Sequence, residues 1–362
     1  MNIVCIDFET YFDKDYTLSK LTTEEYVRSP LFRAHGAAIK WSKDHEAKWY
    51  DAPTLARVIR AEDWTQTAVL AHHTQFDGLI LSHWLGVNPR MWLDTMSMAR
   101  MLLGNHLPVG LDPLRSYFHL PPKTTPYNAF KGLHWQDMSE EVQTALADGC
   151  CDEVESIWQI FASLAKDFPA SEFEVIDFTI RMFVEPVLLA DIPLLQQLWL
   201  DEEKHKLEQR ASLNLPDDTI LQSADKFASL LEEAGIEVAY KKGKNDLIPA
   251  LAKNDDFMQD LLEDEDPYVR ALAEARVGAK STLLQSRAER LGRMAERGSL
   301  CVYLRYCAAH TTRWGGGDKT NFQNFRRGSD LRRAIIAPEG TLLLVIDLSQ
   351  IECRMVNYLA GQ

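Results

Sequence analysis

Residues 2–10, NIVCIDFET, form a short apolar run broken only by acids toward its end, the pattern of a buried strand. HGAAIKW and EAKWYD predict a hairpin or two further strands, TAVLAHH predicts another, and DGLILSHWLG predicts a helix closing at Gly86. This alternation over residues 1–165 predicts an α/β domain. From about residue 196 the pattern turns to charged amphipathic helix: LQQLWLDEEKHKLEQRASL, SADKFASLLEEAG and a long run from Pro267 to Arg297. DLLEDEDP and LNLPDD read as exposed connections. Toward the end, TLLLVID predicts a buried strand with Asp347 at its carboxyl end. Ser349 to Glu352 is an S-x-x-E capping box, Ile351, Met355, Tyr358 and Leu359 mark one helix face, and Gly361 can cap it. There is no internal repeat and no low-complexity tract.

The 362 residues allow two or three domains, and 46% hydrophobic with 25% charged residues is ordinary for a globular protein. No apolar run approaches the roughly 18 residues of a membrane span, and the first residues carry no basic leader, so neither a membrane partner nor a signal peptide is expected. Six cysteines (Cys5, Cys150, Cys151, Cys301, Cys307 and Cys353) form no C-x-x-C pair, which suits a reducing cytoplasm and predicts neither zinc nor disulfides. A net charge of −14 argues against nucleic acid until its distribution is considered. Residues 276–333 hold thirteen Lys/Arg against four Asp/Glu, a local +9 that leaves −23 on the rest, and such a stretch is a footprint for phosphates.

Several acids are candidates for chemistry. Asp7 and Glu9 are two apart on a strand and share one face. Held close, each raises the other's pKa unless a cation neutralises the pair, and a hard divalent cation is the natural partner. Thr74 and Asp77 resemble a helix-capping pair, so Asp77 has a capping reading as well as a ligand reading. Asp152 stands early in an amphipathic helix with Ile157, Ile160, Phe161 and Leu164 on one face, where helix-dipole complementation is its simpler role. His72 and His73 read as packing residues. GAKST (278–282) looks like a phosphate loop only superficially, lacking the Gly-Lys adjacency and the upstream glycine.

Taken together, a strand D-x-E, an F-D opening a helix and a D on a late helix resemble the DEDD family of 3′–5′ exonucleases over residues 1–165. The resemblance implies a ribonuclease H-like fold, in which Asp7, Glu9, Asp77 and Asp152 hold two Mg²⁺ or Mn²⁺ ions, one activating water and the other stabilising the leaving 3′ oxygen. LDTMSMARMLL and VGLDPLRSYFHL fit the helices that such domains place before the last acid. The family's usual tyrosine or histidine, four or five residues before that acid, is replaced by Asp148 and Ala147. The resemblance thus leaves Asp148 to position water and implies reduced exonuclease activity.

In YCAAHTTRWGGGDKTNFQNFRR (306–327), Arg313, Lys319, Arg326 and Arg327 are interleaved with Trp314, Phe322 and Phe325, a mixture suited to phosphates and bases. Gly315 to Gly317 permit close backbone approach. DLSQIECR (347–354) resembles motif A of the family A DNA polymerases, D-Y-S-Q-I-E-x-R. The upstream T-x-R and N-F-Q-N resemble that family's primer-binding motif, and AKSTLLQSRAERL and MFVEPVLLADIPLL look like bacteriophage-type members. Leu348 stands for the usual tyrosine and Thr312 for glycine. The likeness implies that Asp347 binds the metals of nucleotidyl transfer, that Glu352 crowds the incoming sugar's 2′ position, that Arg313, Asn321, Gln323 and Asn324 contact primer–template, and that Arg354 supports the site.

The expected organisation is therefore a ribonuclease H-like exonuclease domain (1–165), a mainly helical linker, thumb and primer-binding region (166–334), and the first strand and helix of an incomplete α/β palm (335–362). The fingers helix and the H-D-E turn of the family lie beyond motif A. The expected protein is thus the N-terminal portion of a DNA polymerase with a proofreading exonuclease, needing a C-terminal partner before it uses deoxynucleoside triphosphates on DNA, and located in the cytoplasm of a bacterial host if phage-encoded. An autonomous exonuclease acting on single-stranded 3′ ends and a non-catalytic DNA-binding remnant are the alternative readings.

Overall fold

A computed structural model of the chain describes residues 2–104, 107–123, 125, 127–217, 219–244, 246–280 and 282–362. Asp218 of the expected LNLPDD connection and Ser281 of GAKST lie outside the described residues. No helix among the described residues is long and apolar enough to cross a membrane.

The first strand, β1 (Asn2–Thr10), is the centre of a five-stranded sheet with β2 (Ala34–Trp41), β3 (Lys48–Asp51), β4 (Thr67–Ala71) and β5 (Met91–Asp94), in the order 3-2-1-4-5. β2 runs antiparallel to β1 and β3, whereas β4 and β5 run parallel to β1. The strands predicted within residues 1–165 all form, and the HGAAIKW and EAKWYD pair is a hairpin. Val4, Ile6 and Phe8 point to one face of β1, into a core with Leu79, Ile80, Ile176 and Ile180. Cys5 points to the other, with Leu70, Cys150, Val154 and Ile157. The period of two along the strand thus turns Asp7 and Glu9 toward the long helix Glu140–Leu164. Helices Gln75–Leu85 and Ala170–Val184 cover the opposite face, the first ending as predicted at Gly86 with φ 66°.

Helix Ile192–Ser212 leads away from this body and Leu283–Arg297 returns beside it. Between them, Phe227, Leu231, Met258 and Leu272 build a separate small core. The run from Pro267 to Arg297, read from sequence as continuous, is two helices, Pro267–Lys280 and Leu283–Arg297, with Thr282 (φ −100°, ψ 7°) outside both. After the return, Leu300, Tyr303, Tyr306, Phe325 and Leu331 rejoin the core that starts in β1. Glu24, fully buried, fastens the two parts: Arg297 binds it through Nε at 2.8 Å and Nη2 at 2.6 Å.

The terminal segment departs from expectation. TLLLVID forms no strand and is exposed throughout, with Leu342 88% and Ile346 86% accessible. A strand's N–H and C=O groups need a neighbour, and none lies alongside it among the described residues. Helix Ile351–Leu359 forms, but it is entered through Gln350 in the left-handed region (φ 56°) without a side-chain cap. The S-x-x-E capping box is therefore absent, and Glu352 pairs with Arg313 instead.

Candidate functional site

The β1–β4 ladder ends at Cys5 and Leu70, so Asp7 and Glu9 project beyond β4, still paired to Ala38 and Gly36 of β2. Gly36 is required here, because a Cβ would lie 2.3 Å from the carbonyl oxygen of Tyr50. The turn after β4 feeds helix Gln75–Leu85, whose Asp77 swings back to accept the Phe8 N–H through Oδ1 at 3.1 Å. Thr74 makes no side-chain cap on that helix, so Asp77 binds β1 rather than completing a capping pair. Asp7, Glu9 and Cys150 bring possible ligand atoms within 4.8 Å of one another.

From helix Glu140–Leu164 the inward acid is Glu153, not Asp152. Successive helical residues are about 100° apart. The face defined by Leu146, Cys150, Val154, Ile157 and Ile160 therefore includes Glu153 and leaves Asp152 exposed. Only the backbone of Asp152 takes part, its carbonyl accepting from Arg115 at 2.8 Å and from the Ser156 hydroxyl at 2.9 Å. Asp148 is not among the residues lining the site.

Glu153 is tied by a segment that no motif announced. Its Oε1 accepts the hydroxyls of Thr125 at 3.0 Å and Tyr127 at 2.8 Å, and its Oε2 accepts the Lys123 ammonium at 2.7 Å. Gly149 makes this approach possible, since a Cβ there would meet the Thr125 Oγ1 at 2.4 Å. Helical periodicity together with a glycine one turn before an inward acid was the only trace of this arrangement in the sequence.

The cluster is electrostatically unbalanced. Burial, then the neighbouring Glu153, pushes Asp7 up to about 7. Glu9 is raised by burial and by Asp7, and Asp77 likewise. Cys150 donates to the Asp7 carbonyl at 3.3 Å and to its carboxylate at 3.5 Å. Its thiol is raised by burial and then by Asp7 and Glu9, so in the metal-free chain it is a protonated donor. The donor set left for a metal is carboxylate oxygen from Asp7 and Glu9, with Asp77 behind them, which suits a hard divalent cation. A cleft of about 320 Å³ opens over them, lined also by Phe12, Leu18, Tyr26, Phe76 and Tyr127.

The basic stretch forms a second feature. Residues 315–325 fold against helix Leu283–Arg297, with Arg290 donating to the Lys319 carbonyl and the Arg287 guanidinium 5.6 Å from the Phe325 ring. A groove of about 560 Å³ runs there between Lys280, Arg287, Arg290, Lys319 and Asn321. Asn321 accepts the Gln323 N–H at 3.0 Å and lies on Gly316, where a Cβ would overlap it at 2.1 Å. Asn324 offers its carbonyl to Arg287 at 3.3 Å. Arg313 and Glu352 pair on the exposed surface, and Asp347 and Arg354 are exposed. Asn321 is thus a wall of the groove, while Asp347 and Arg354 lie outside it on the exposed terminal segment.

No protein-family model matches the sequence, and no curated protein matches it. Among solved structures the chain is similar to the POL domain of Pol1 from M. smegmatis, in complex with DNA primer-template and dNTP. The TM-score is 0.62 with 19% sequence identity, and the match covers 99% of this chain. The chain spans 59% of the length of that structure. Nearly its whole length thus has a DNA-polymerase-like fold.

Proposed function

We propose that this chain carries a metal-dependent 3′–5′ exonuclease centre together with the primer-holding and motif A portions of a family A-type DNA polymerase, bacteriophage-like in sequence. The observation that carries the reading is the convergence of Asp7, Glu9, Asp77 and Glu153 from three distant segments, in a chain whose fold follows a polymerase domain. The 3-2-1-4-5 strand order, with the acids beyond the end of the β4 ladder, supports a ribonuclease H-like nuclease.

Asp7 and Glu9 would hold divalent metal, magnesium or manganese, with Asp77 fixing the strand that presents them. Metal bound there supplies a polarised water and neutralises charge on a phosphodiester. Phe12, Phe76 and Leu18 present apolar surface on which a terminal base can stack. Tyr127, whose hydroxyl donates to Glu153, would orient the attacking water, the role that the family gives to a tyrosine on the helix itself. The groove lined by Lys280, Arg287, Arg290 and Lys319 suits the backbone of primer–template DNA.

Templated synthesis from deoxynucleoside triphosphates belongs, on this reading, to an assembled enzyme in the cytoplasm. A contiguous exposed run such as residues 342–348 is the kind of surface a further polypeptide covers. The test pairs two assays of the purified chain with Mg²⁺. A 3′-labelled single strand should be shortened, and Asp7→Asn with Glu9→Gln should abolish that. A primed template should not be extended. Trimming unaffected by the double substitution would refute the nuclease centre, and extension by the chain alone would refute the need for a partner.

A further inference from the structure

We infer that the Lys123 ammonium occupies the place of a second cation in the Asp7–Glu9–Glu153 site, so that this site takes one divalent ion and not two. The inference rests on the nuclease reading above and corrects its expected metal count.

The carboxylates of the cluster differ in what they have left to offer. A carboxylate oxygen has two lone-pair directions. Oε1 of Glu153 uses both, on the hydroxyls of Thr125 and Tyr127, and Oε2 already holds the Lys123 ammonium at 2.7 Å. A second ion bridging Glu153 to Asp7 must therefore expel the lysine or share one oxygen with it, placing two cations against each other. Asp7 carries only a weak thiol donor, and among the described residues Glu9 has no ion-pair partner, so these two are the donors available to one ion.

Lys123 is not a solvated surface lysine that happens to touch an acid. Its ammonium lies 4.3 Å from the centroid of the Tyr127 ring, and that ring's hydroxyl binds the same Glu153. The lysine side chain is 23% accessible and the glutamate 6%. Ring, ammonium and carboxylate form a closed arrangement, which Gly149 admits by letting Thr125 sit against the helix.

The test counts Mn²⁺ bound by the metal-free full chain, by calorimetry and by electron paramagnetic resonance. Asp7→Asn/Glu9→Gln serves as the blank for ions held elsewhere. We expect one ion above the blank in the wild type, with an uncoupled manganese spectrum, and two in Lys123→Met, which keeps the stem and removes the charge. Two spin-coupled ions in the wild type overturn the inference and leave the nuclease reading intact. One ion in both proteins overturns the role of Lys123. No ion in the wild type overturns the inference together with the nuclease reading. The wild-type spectrum decides the count even if Lys123→Met fails to fold.

Discussion

Asp7→Asn is expected to stabilise the metal-free protein, and only above a definite pH. The Asp7 carboxyl has its ordinary value of 3.8 raised to about 7 by burial and by Glu153. Between those values the folded chain holds a proton that the unfolded chain has already released. Stability therefore falls as pH rises across that window and levels off above it. At about 1.4 kcal/mol for each pH unit, keeping Asp7 ionised in the fold at pH 8 costs about 4 kcal/mol. Asparagine has the same shape and no charge, but it accepts the Cys150 thiol less strongly than a carboxylate does. A net gain of about 2–3 kcal/mol at pH 8 follows, shrinking to near zero at about pH 4, the foot of the window, where the unfolded carboxyl is itself close to half-protonated. Urea unfolding in a chelator at about pH 4, 6 and 8 measures it. With Mn²⁺ present the order reverses, because metal stabilises only the chain that can bind it. A substitution that destabilises at pH 8 in chelator, or whose effect is the same at pH 4 and pH 8, would refute the placement of Asp7 in a crowded acidic site.

Three further outcomes are expected. Glu24→Gln strips the buried partner from Arg297 and Arg28 and should cost about 3–5 kcal/mol in urea unfolding; a loss under about 1 kcal/mol would show that the fastening between the α/β body and helix Leu283–Arg297 is dispensable. Gly149→Ala gains about 1 kcal/mol of helix propensity but forces Thr125 away, an overpacking cost of about 1–3 kcal/mol. Stability should fall by no more than about 2 kcal/mol while trimming of 3′-labelled DNA drops, and unchanged trimming would argue against a role for the Thr125–Tyr127 segment. Serine at Leu342, Leu344 and Ile346 together should shift unfolding by less than about 0.5 kcal/mol per site and reduce light scattering at high concentration, since these side chains contact solvent in the isolated chain. A large loss of stability would mean that they are buried.

Local pattern was enough to place the strands of the sheet, the helix ending at Gly86 and the amphipathic helices, because period and caps are written in neighbouring residues. It also placed Asp7 and Glu9 on one face of one strand, since alternation along a strand needs no knowledge of what packs against it. Other features depended on contacts far apart in the chain. Which acid of helix Glu140–Leu164 turns inward was decided by the packing of that helix on the sheet, and a one-residue difference moves a side chain by about 100°. Lys123, Thr125 and Tyr127 carry no local signal. They matter because Gly149 leaves room for them beside Glu153. The TLLLVID run shows the opposite limit. Its residues have every local preference for a strand, but a strand's hydrogen bonds are made by its neighbours, and none lies alongside it among the described residues.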